Sequence, residues 1–128
     1  MTNRKQLGQY MSPQWIVNLI LDNVGYTGEK ILNKKIMEPS FGDGAFLVEI
    51  VSRLIYEGKK IRMNCEEISK IIEDNIYGIE KDSSLFSQTI SRLNNLLKNE
   101  NIPEVNWKNL VNANTLDIYE NYIEKLDY

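Results

Sequence analysis

The chain has 128 residues, of which 42% are hydrophobic and 26% charged, the balance of a single globular domain rather than of a disordered segment. Its net charge of -3 excludes a globally basic surface, so any contact with nucleic acid must be local or lie elsewhere. The absence of histidine and the single cysteine, Cys65, exclude disulfides and argue against zinc sites and against Ser-His or Cys-His nucleophiles.

The first predicted element is a helix that begins at Ser12-Pro13 and ends before Gly25. Ser12 is the expected N-cap and Pro13 the expected first helical residue. Apolar residues recur at helical spacing and predict the face that packs on the core: Trp15, Ile16, Leu19, Ile20 and Val24.

A strand, a glycine turn and a helix follow. The strand is Ile36-Met37, and it ends before Pro39 because proline cannot extend a paired strand. After the turn "FGDG", an apolar stripe of helical period predicts a helix that stops at Gly58.

The rest of the chain predicts two more strands. Residues 66–74 form a short amphipathic helix, and "NIYGIEKD" contains a strand that ends at Glu80. Asp82 or Ser83 caps the next helix, "NENIP" ends it, and Leu110 to Ala113 is the third strand. Strands that alternate with helices indicate an α/β fold with a narrow parallel sheet, right-handed crossovers and both faces covered.

Polar groups stand at the carboxyl ends of all three strands, where ligands bind in open parallel sheets. They are Glu38 with the glycine turn, then Glu80, then Asn114-Thr115. A carboxylate after the second strand can accept hydrogen bonds from both vicinal hydroxyls of a ribose. Each group alone is more often turn geometry or a solvated strand end, but their joint occurrence favours a nucleotide-type site.

The glycine pattern separates two such ligands. A dinucleotide site would read G-x-G-x-x-G, whereas Leu47 stands at the third glycine position and Asp43 would place negative charge beside a phosphate. A nucleoside with a zwitterionic amino-acid end fits better, and S-adenosylmethionine is such a ligand.

Four segments resemble motifs of the S-adenosylmethionine-dependent DNA methyltransferases that act on the exocyclic amine of adenine, particularly those of restriction-modification systems. "LGQYMSP" (7–13) is similar to their N-terminal motif and "EPSFGDGAFL" (38–47) to their glycine motif. "YGIEKD" (77–82) is similar to their acidic second-strand motif, and "VNANTL" (111–116) to the segment that contacts the cofactor adenine.

The resemblance implies a role for individual residues. The N-terminal motif would close over the methionine end of the cofactor, the glycine loop would lie beneath it, and Glu80 would hold the ribose hydroxyls. Asn114 stands where the family usually has aspartate; its carbonyl oxygen could accept from the adenine amine, and Asp117 is the alternative. The implied cofactor-binding residues are Gln9, Tyr10, Ser12, Pro13, Glu38, Ser40, Gly42, Gly44, Glu80 and Asn114.

The resemblance also implies a Rossmann-like class I methyltransferase fold, of which this chain would be the N-terminal part. Residues 1–28 would hold the N-terminal motif and helix, and residues 29–128 the three strands with their helices. Leu126-Asp127-Tyr128 resembles the start of a fourth strand, at whose end the family carries its catalytic Asn or Asp, Pro-Pro and aromatic motif. That motif and the target-recognition region are absent, so we expect a cofactor-binding portion with no catalytic residue and no activity of its own.

Partners follow from the same resemblance: S-adenosylmethionine as cofactor, and double-stranded DNA for the intact enzyme. The unpaired edge of the last strand suggests an edge-to-edge homodimer. No run approaches the roughly 18 apolar residues of a spanning helix, and the N-terminus lacks an apolar signal core. We therefore expect a soluble cytoplasmic protein without a membrane or metal partner.

Other functions stay open. Ribosomal RNA adenine dimethyltransferases share the Gly-Gln start, but their first strand reads Glu-Ile-Gly-Pro-Gly, and "GQYMSP" is not expected in protein-glutamine methyltransferases. A non-catalytic module that pairs with a second chain and a dinucleotide oxidoreductase are the alternatives from other classes.

Overall fold

The structure is a computed structural model that describes residues 13–114 and 127–128. Its elements in chain order are α1 (Gln14–Asn23), a short 3₁₀ helix (Glu29–Asn33), β1 (Ile36–Glu38), α2 (Ala45–Lys60), α3 (Cys65–Asn75), β2 (Ile76–Ile79), α4 (Ser83–Asn99) and β3 (Leu110–Val111). Strands and helices alternate as the sequence predicts.

The three strands form one parallel sheet in the order β1-β2-β3. Glu38 pairs in register with Gly78, and Gly78 in turn with Leu110, so the carboxyl ends of the strands lie at one edge of the sheet. This is a partial Rossmann-like α/β fold, and it confirms the predicted fold class.

Buried apolar residues form two clusters, and the larger lies on one face of the sheet. Ile36 and Ile76 contribute to a single apolar cluster together with buried residues of all four helices. Met37, Tyr77 and Ile79 form a separate buried cluster, as expected for side chains that alternate across a strand. Both faces are therefore shielded from solvent, as predicted for parallel strands.

The predicted core face of α1 is wrong. Val17 and Leu21 are the buried residues of this helix, whereas Trp15 is 67% exposed, and Leu19, Ile20 and Val24 are also exposed. The sequence "QWIVNLILDN" is apolar around most of the helix, so helical periodicity alone offers more than one stripe and cannot select the buried one.

The start of α1 and the end of α2 also differ from their predicted positions. α2 continues past Gly58 to Lys60, because this glycine is not a helix terminator: a Cβ there would lie 2.7 Å from Ile68 Cγ1, so its small size allows α2 and α3 to approach closely. Pro13 is the N-cap of α1 rather than its first helical residue, and its carbonyl accepts from Ile16 N–H at 3.0 Å. Ser12 lies outside the described residues.

β3 is shorter than predicted, ending at Val111 rather than Ala113. Its backbone nevertheless stays beside β2, since Glu80 N–H donates to Val111 O and Ala113 N–H donates to Glu80 O. The backbone bonds therefore continue beyond the assigned strand to the loop in which Asn114 stands.

Asp127 and Tyr128 lie beside β1, on the side of the sheet opposite β3. Asp127 N–H donates to Lys35 O at 2.9 Å, and Met37 N–H donates to Tyr128 O at 3.2 Å. Tyr128 also packs edge-on against Tyr26, with 5.3 Å between ring centroids. Asp127 and Tyr128, which resemble the start of a fourth strand in sequence, thus lie along β1 without forming a strand.

Candidate functional site at the carboxyl edge of the sheet

The glycine loop connects β1 to α2 and turns through two residues with positive φ. Gly42 has φ 53° and Gly44 has φ 87°, in the left-handed region that glycine enters at little cost. Gly44 is the N-cap of α2, and Asp43 Oδ1 accepts from Ala45 N–H at 3.1 Å. A carboxylate is favoured at this position by the helix dipole and by the unpaired amides of the first turn.

The two glycines are needed for different reasons. A Cβ on Gly44 would lie 2.6 Å from Thr89 Cγ2, a clash with a buried side chain of α4. A Cβ on Gly42 would meet no atom within 4 Å. Packing inside the protein therefore explains Gly44, whereas Gly42 borders open space.

Glu80 follows β2 directly and is 5% exposed. Its Oε1 accepts from Gly42 N–H at 2.7 Å and its Oε2 accepts from Asp82 N–H at 3.0 Å. A buried carboxylate is tolerated when hydrogen bonds satisfy it, and backbone amides do so here. With roughly four lone-pair sites on a carboxylate, two acceptor sites stay unused by these bonds.

Glu38 ends β1 and is half-buried. Burial raises the pKa of its carboxyl above the usual range, while the hydrogen bond from Ser40 N–H, at 3.3 Å, acts in the opposite direction. The side chain borders a cavity of about 250 Å³ whose other walls are apolar residues of α1, β1 and α2 together with Tyr128. Ser40 itself is exposed.

The third strand end contributes Asn112 and Asn114. Asn112 Nδ2 donates to the carbonyl oxygens of Glu80 (2.8 Å) and Lys81 (3.1 Å), and so ties the ends of β3 and β2 together. Asn114 is exposed in the loop that follows. The structure therefore brings Glu38, the glycine loop, Glu80 and Asn114 to one edge of the sheet.

Four predicted residues stand outside the described part of the chain: Gln9, Tyr10, Ser12 and the alternative Asp117. Pro13 is described and exposed. The next residue, Gln14, donates through Nε2 to Glu49 Oε1 at 2.9 Å, which holds the start of α1 against the second turn of α2. The end of the N-terminal motif is thus close to the helix that the glycine loop opens.

Sequence reasoning missed three residues that shape this edge. Thr89 Oγ1 donates to Gly42 O at 3.0 Å, and Arg92 Nη1 donates to Asp43 O at 2.6 Å. Gly78 makes room for Phe41, since a Cβ there would lie 2.8 Å from the Phe41 ring. Two signals were available: a polar threonine within the apolar face of a helix, and a glycine inside a strand.

The larger cavities lie elsewhere. One of about 510 Å³ borders Arg53 and Glu57, one of about 420 Å³ borders Lys59 and Leu96, and both share Ser52 and Tyr56 of α2. Neither includes a residue from the strand ends. Within residues 13–114 and 127–128 there is no cluster of His, Cys, Asp or Glu suited to a metal ion, and no helix there could span a membrane.

Comparison with known proteins identifies the family. The N-6 DNA methylase family model matches residues 1–128. A type II methyltransferase of Pseudomonas aeruginosa, M.PaeR7I, is 36% identical over 88 residues, which cover 68% of this chain and 15% of that protein. M.BstVI, a type II methyltransferase of Geobacillus stearothermophilus, is 38% identical over 95 residues, 72% of this chain and 17% of the relative. No solved structure matches.

The chain belongs to the N-6 DNA methylase family. The family name describes a methylase of DNA, and methylation requires a methyl donor. The chain spans about one sixth of the length of these two relatives.

Proposed function

We propose that this chain is the cofactor-binding portion of a site-specific DNA adenine N6-methyltransferase of a restriction-modification system. Its methyl donor is S-adenosylmethionine, bound at the carboxyl edge of the sheet. The observation that carries the proposal is the open space where a Gly42 side chain would stand, next to a backbone N–H that is bonded to the buried carboxylate of Glu80. The type II methyltransferases that the chain resembles support the reaction class.

The residues of the site fit this ligand. Glu80 accepts from the ribose hydroxyls through the lone pairs that the Gly42 and Asp82 amides leave unused. Glu38, a half-buried carboxylate at the neighbouring strand end, suits a cationic ammonium group, which would lower its raised pKa. Asp43 occupies the first-turn amide of α2 and would repel a phosphate, which disfavours a dinucleotide.

The remaining residues take the roles that the family resemblance implies. Gln9, Tyr10, Ser12 and Pro13 close over the methionine end, Ser40 and Gly44 complete the loop beneath it, and Asn114 or Asp117 contacts the adenine ring. The bound cofactor supplies an activated methyl group on its sulfonium, so the protein contributes positioning rather than activation.

The DNA partner belongs to the whole protein. The target adenine would be flipped out of the duplex, at a cost of a few kcal/mol of unstacking. With a net charge of -3, the chain offers little attraction for the phosphate backbone, so DNA contacts would lie mainly outside it. The family resemblance implies the same for the residues that hold the target amine. This portion alone carries no catalysis.

We also propose that two copies of the chain pair through the sheet edge. Within residues 13–114 and 127–128, β3 is the edge strand of the sheet, and an edge strand can pair with a neighbour. Its two residues would keep the shared interface short.

Calorimetry with S-adenosylmethionine tests the cofactor assignment. We expect Glu80→Ala to weaken binding by about 1–3 kcal/mol, because the ribose hydroxyls and two amides lose their acceptor. Glu104→Ala removes an exposed carboxylate from a loop and is the control, with affinity expected to stay at the parent value. Unchanged affinity in Glu80→Ala would remove the ribose role, and tighter binding of NAD than of S-adenosylmethionine would favour an oxidoreductase.

A further inference from the structure

The glycine loop is held by α4 as well as by Glu80. Thr89 is fully buried in the middle of α4, and its hydroxyl donates to Gly42 O at 3.0 Å across 47 positions of sequence. A threonine inside a helix commonly bonds a carbonyl of its own preceding turn, so this outward bond is specific to the loop. Arg92, one turn further along, donates to Asp43 O.

Three polar groups of the loop backbone are therefore held by side chains from other elements. Gly42 N–H is bound by Glu80, Gly42 C=O by Thr89 and Asp43 C=O by Arg92. Glycine otherwise samples much more backbone space than other residues, so a loop built on Gly42 and Gly44 needs such anchors to keep one shape. Thr89 also packs beside Gly44, since a Cβ there would lie 2.6 Å from Thr89 Cγ2.

Asp82, the N-cap of α4, connects Glu80 to the helix that carries Thr89. Asp82 accepts from Leu85 N–H at 2.9 Å as the N-cap of the helix, and its own N–H donates to Glu80 Oε2. Glu80 thus binds the loop on one side and the start of α4 on the other, and α4 returns to the loop through Thr89. The result is a closed ring of contacts around Gly42.

We propose that Thr89 is a positioning residue for the cofactor site: its hydroxyl keeps the glycine loop in the shape that receives the ligand, without touching the ligand itself. The inference rests on the proposed function for the identity of the ligand, S-adenosylmethionine. Arg92 supports the same loop from the exposed side of α4, and its bond to Asp43 O is the more dispensable of the two because water can replace it there.

The test compares two substitutions of Thr89 in the ¹⁵N-labelled chain. Thr89→Val keeps the shape and removes the donor, whereas Thr89→Ser keeps the donor and removes the methyl group. Amide hydrogen exchange at Gly42, Gly44 and Ala45 is measured without ligand, and the affinity for S-adenosylmethionine is measured by calorimetry. Ser69→Ala is the matched control, because the Ser69 hydroxyl is also buried and donates to backbone carbonyls, those of Pro103 and Glu104.

We expect Thr89→Val to accelerate exchange at the three loop amides by roughly tenfold or more, as for loss of a buried hydrogen-bond partner. Its affinity for S-adenosylmethionine should fall by a similar factor, while Thr89→Ser stays near the parent in both measurements. Ser69→Ala should leave loop exchange unchanged even if it lowers overall stability.

Two results would overturn the inference: loop exchange in Thr89→Val that matches the parent, or faster loop exchange with unchanged affinity. If the parent chain binds no S-adenosylmethionine while Thr89→Val alone accelerates loop exchange, the proposed function fails and the loop-holding role of Thr89 stands.

Discussion

Gly42 and Gly44 stand two positions apart and are glycines for different physical reasons. Both have a positive φ that disfavours other residues, but a side chain on Gly44 would also clash with Thr89, whereas a side chain on Gly42 would meet no atom of the protein. The sequence predicts a close backbone approach at this turn but cannot assign it to one glycine. That distinction depends on α4, which lies more than forty residues away.

Glu80 was predicted as a ribose acceptor from its place after a strand. Its bonds to Gly42 N–H and Asp82 N–H were not predictable, because the first partner belongs to a loop 38 residues earlier. The carboxylate that is proposed to bind the ligand therefore also shapes the loop around it.

The buried carboxyl of Glu38 should make the stability of the protein depend on pH. Burial raises the pKa of its carboxyl in the folded state above the usual 4.5, so the folded state holds the proton more tightly than the unfolded state. Stability contributed by this group therefore rises as pH falls through the folded pKa, and at neutral pH the buried charge is destabilising. We expect Glu38→Gln to raise the free energy of unfolding at pH 7, with the gain disappearing below about pH 4.5.

Urea denaturation of parent and variant between pH 3.5 and 8 measures this difference, with Glu104→Gln as an exposed control. A variant that is no more stable than the parent at pH 7 would show that burial does not penalise the Glu38 carboxylate. We expect the same substitution to weaken S-adenosylmethionine binding, since a cationic ligand group would lose its charged partner.

Among the helices, α1 shows what apolar periodicity can predict and what it cannot. Its existence and length were predicted from the Pro13 start and the Gly25 stop. Its buried face was not, because most of the helix outside the polar stripe of Gln14, Asn18 and Asp22 is apolar. Polar contacts settle the orientation. Arg53 of α2 donates to Asp22 Oδ1 and to Tyr26 O, both at 2.9 Å, and so binds the end of α1 and the turn that follows.

Arg53→Met tests the attachment of α1. The variant keeps an apolar stem and loses the charged hydrogen bonds to Asp22, Glu49 and the Tyr26 carbonyl, which should lower the free energy of unfolding by about 1.5–3 kcal/mol. Lys70→Met is the matched control, since its ion pairs with Glu73 and Asp74 are on the surface and should contribute less than about 1 kcal/mol.

Urea denaturation monitored by the fluorescence of Trp15 in α1 and of Trp107 measures both variants. Equal, small losses for the two would mean that α1 is held by Val17 and Leu21 alone, and that Arg53 does not determine its orientation.

At the scale of the whole molecule, the parallel sheet followed from the alternation of strands and helices, and its order β1-β2-β3 places all three polar strand ends together. Asp127 and Tyr128 lie along β1 but form no strand there, so a fourth strand stays a prediction. Helix packing was less predictable. Gly58 does not end α2; it allows a close approach of Ile68 in α3, a contact that exists only in the folded protein.

The central claim is that S-adenosylmethionine binds at the carboxyl edge of this sheet. Titration of the ¹⁵N-labelled chain with S-adenosylmethionine, followed by amide chemical shifts, tests it most directly and detects weak binding as well as tight. We predict saturable shifts at Gly42, Gly44, Glu80 and Asn114, the residues of the three strand ends. Absence of any shift, or shifts centred on Ser52 and Tyr56 beside the larger cavities of α2, would contradict the account.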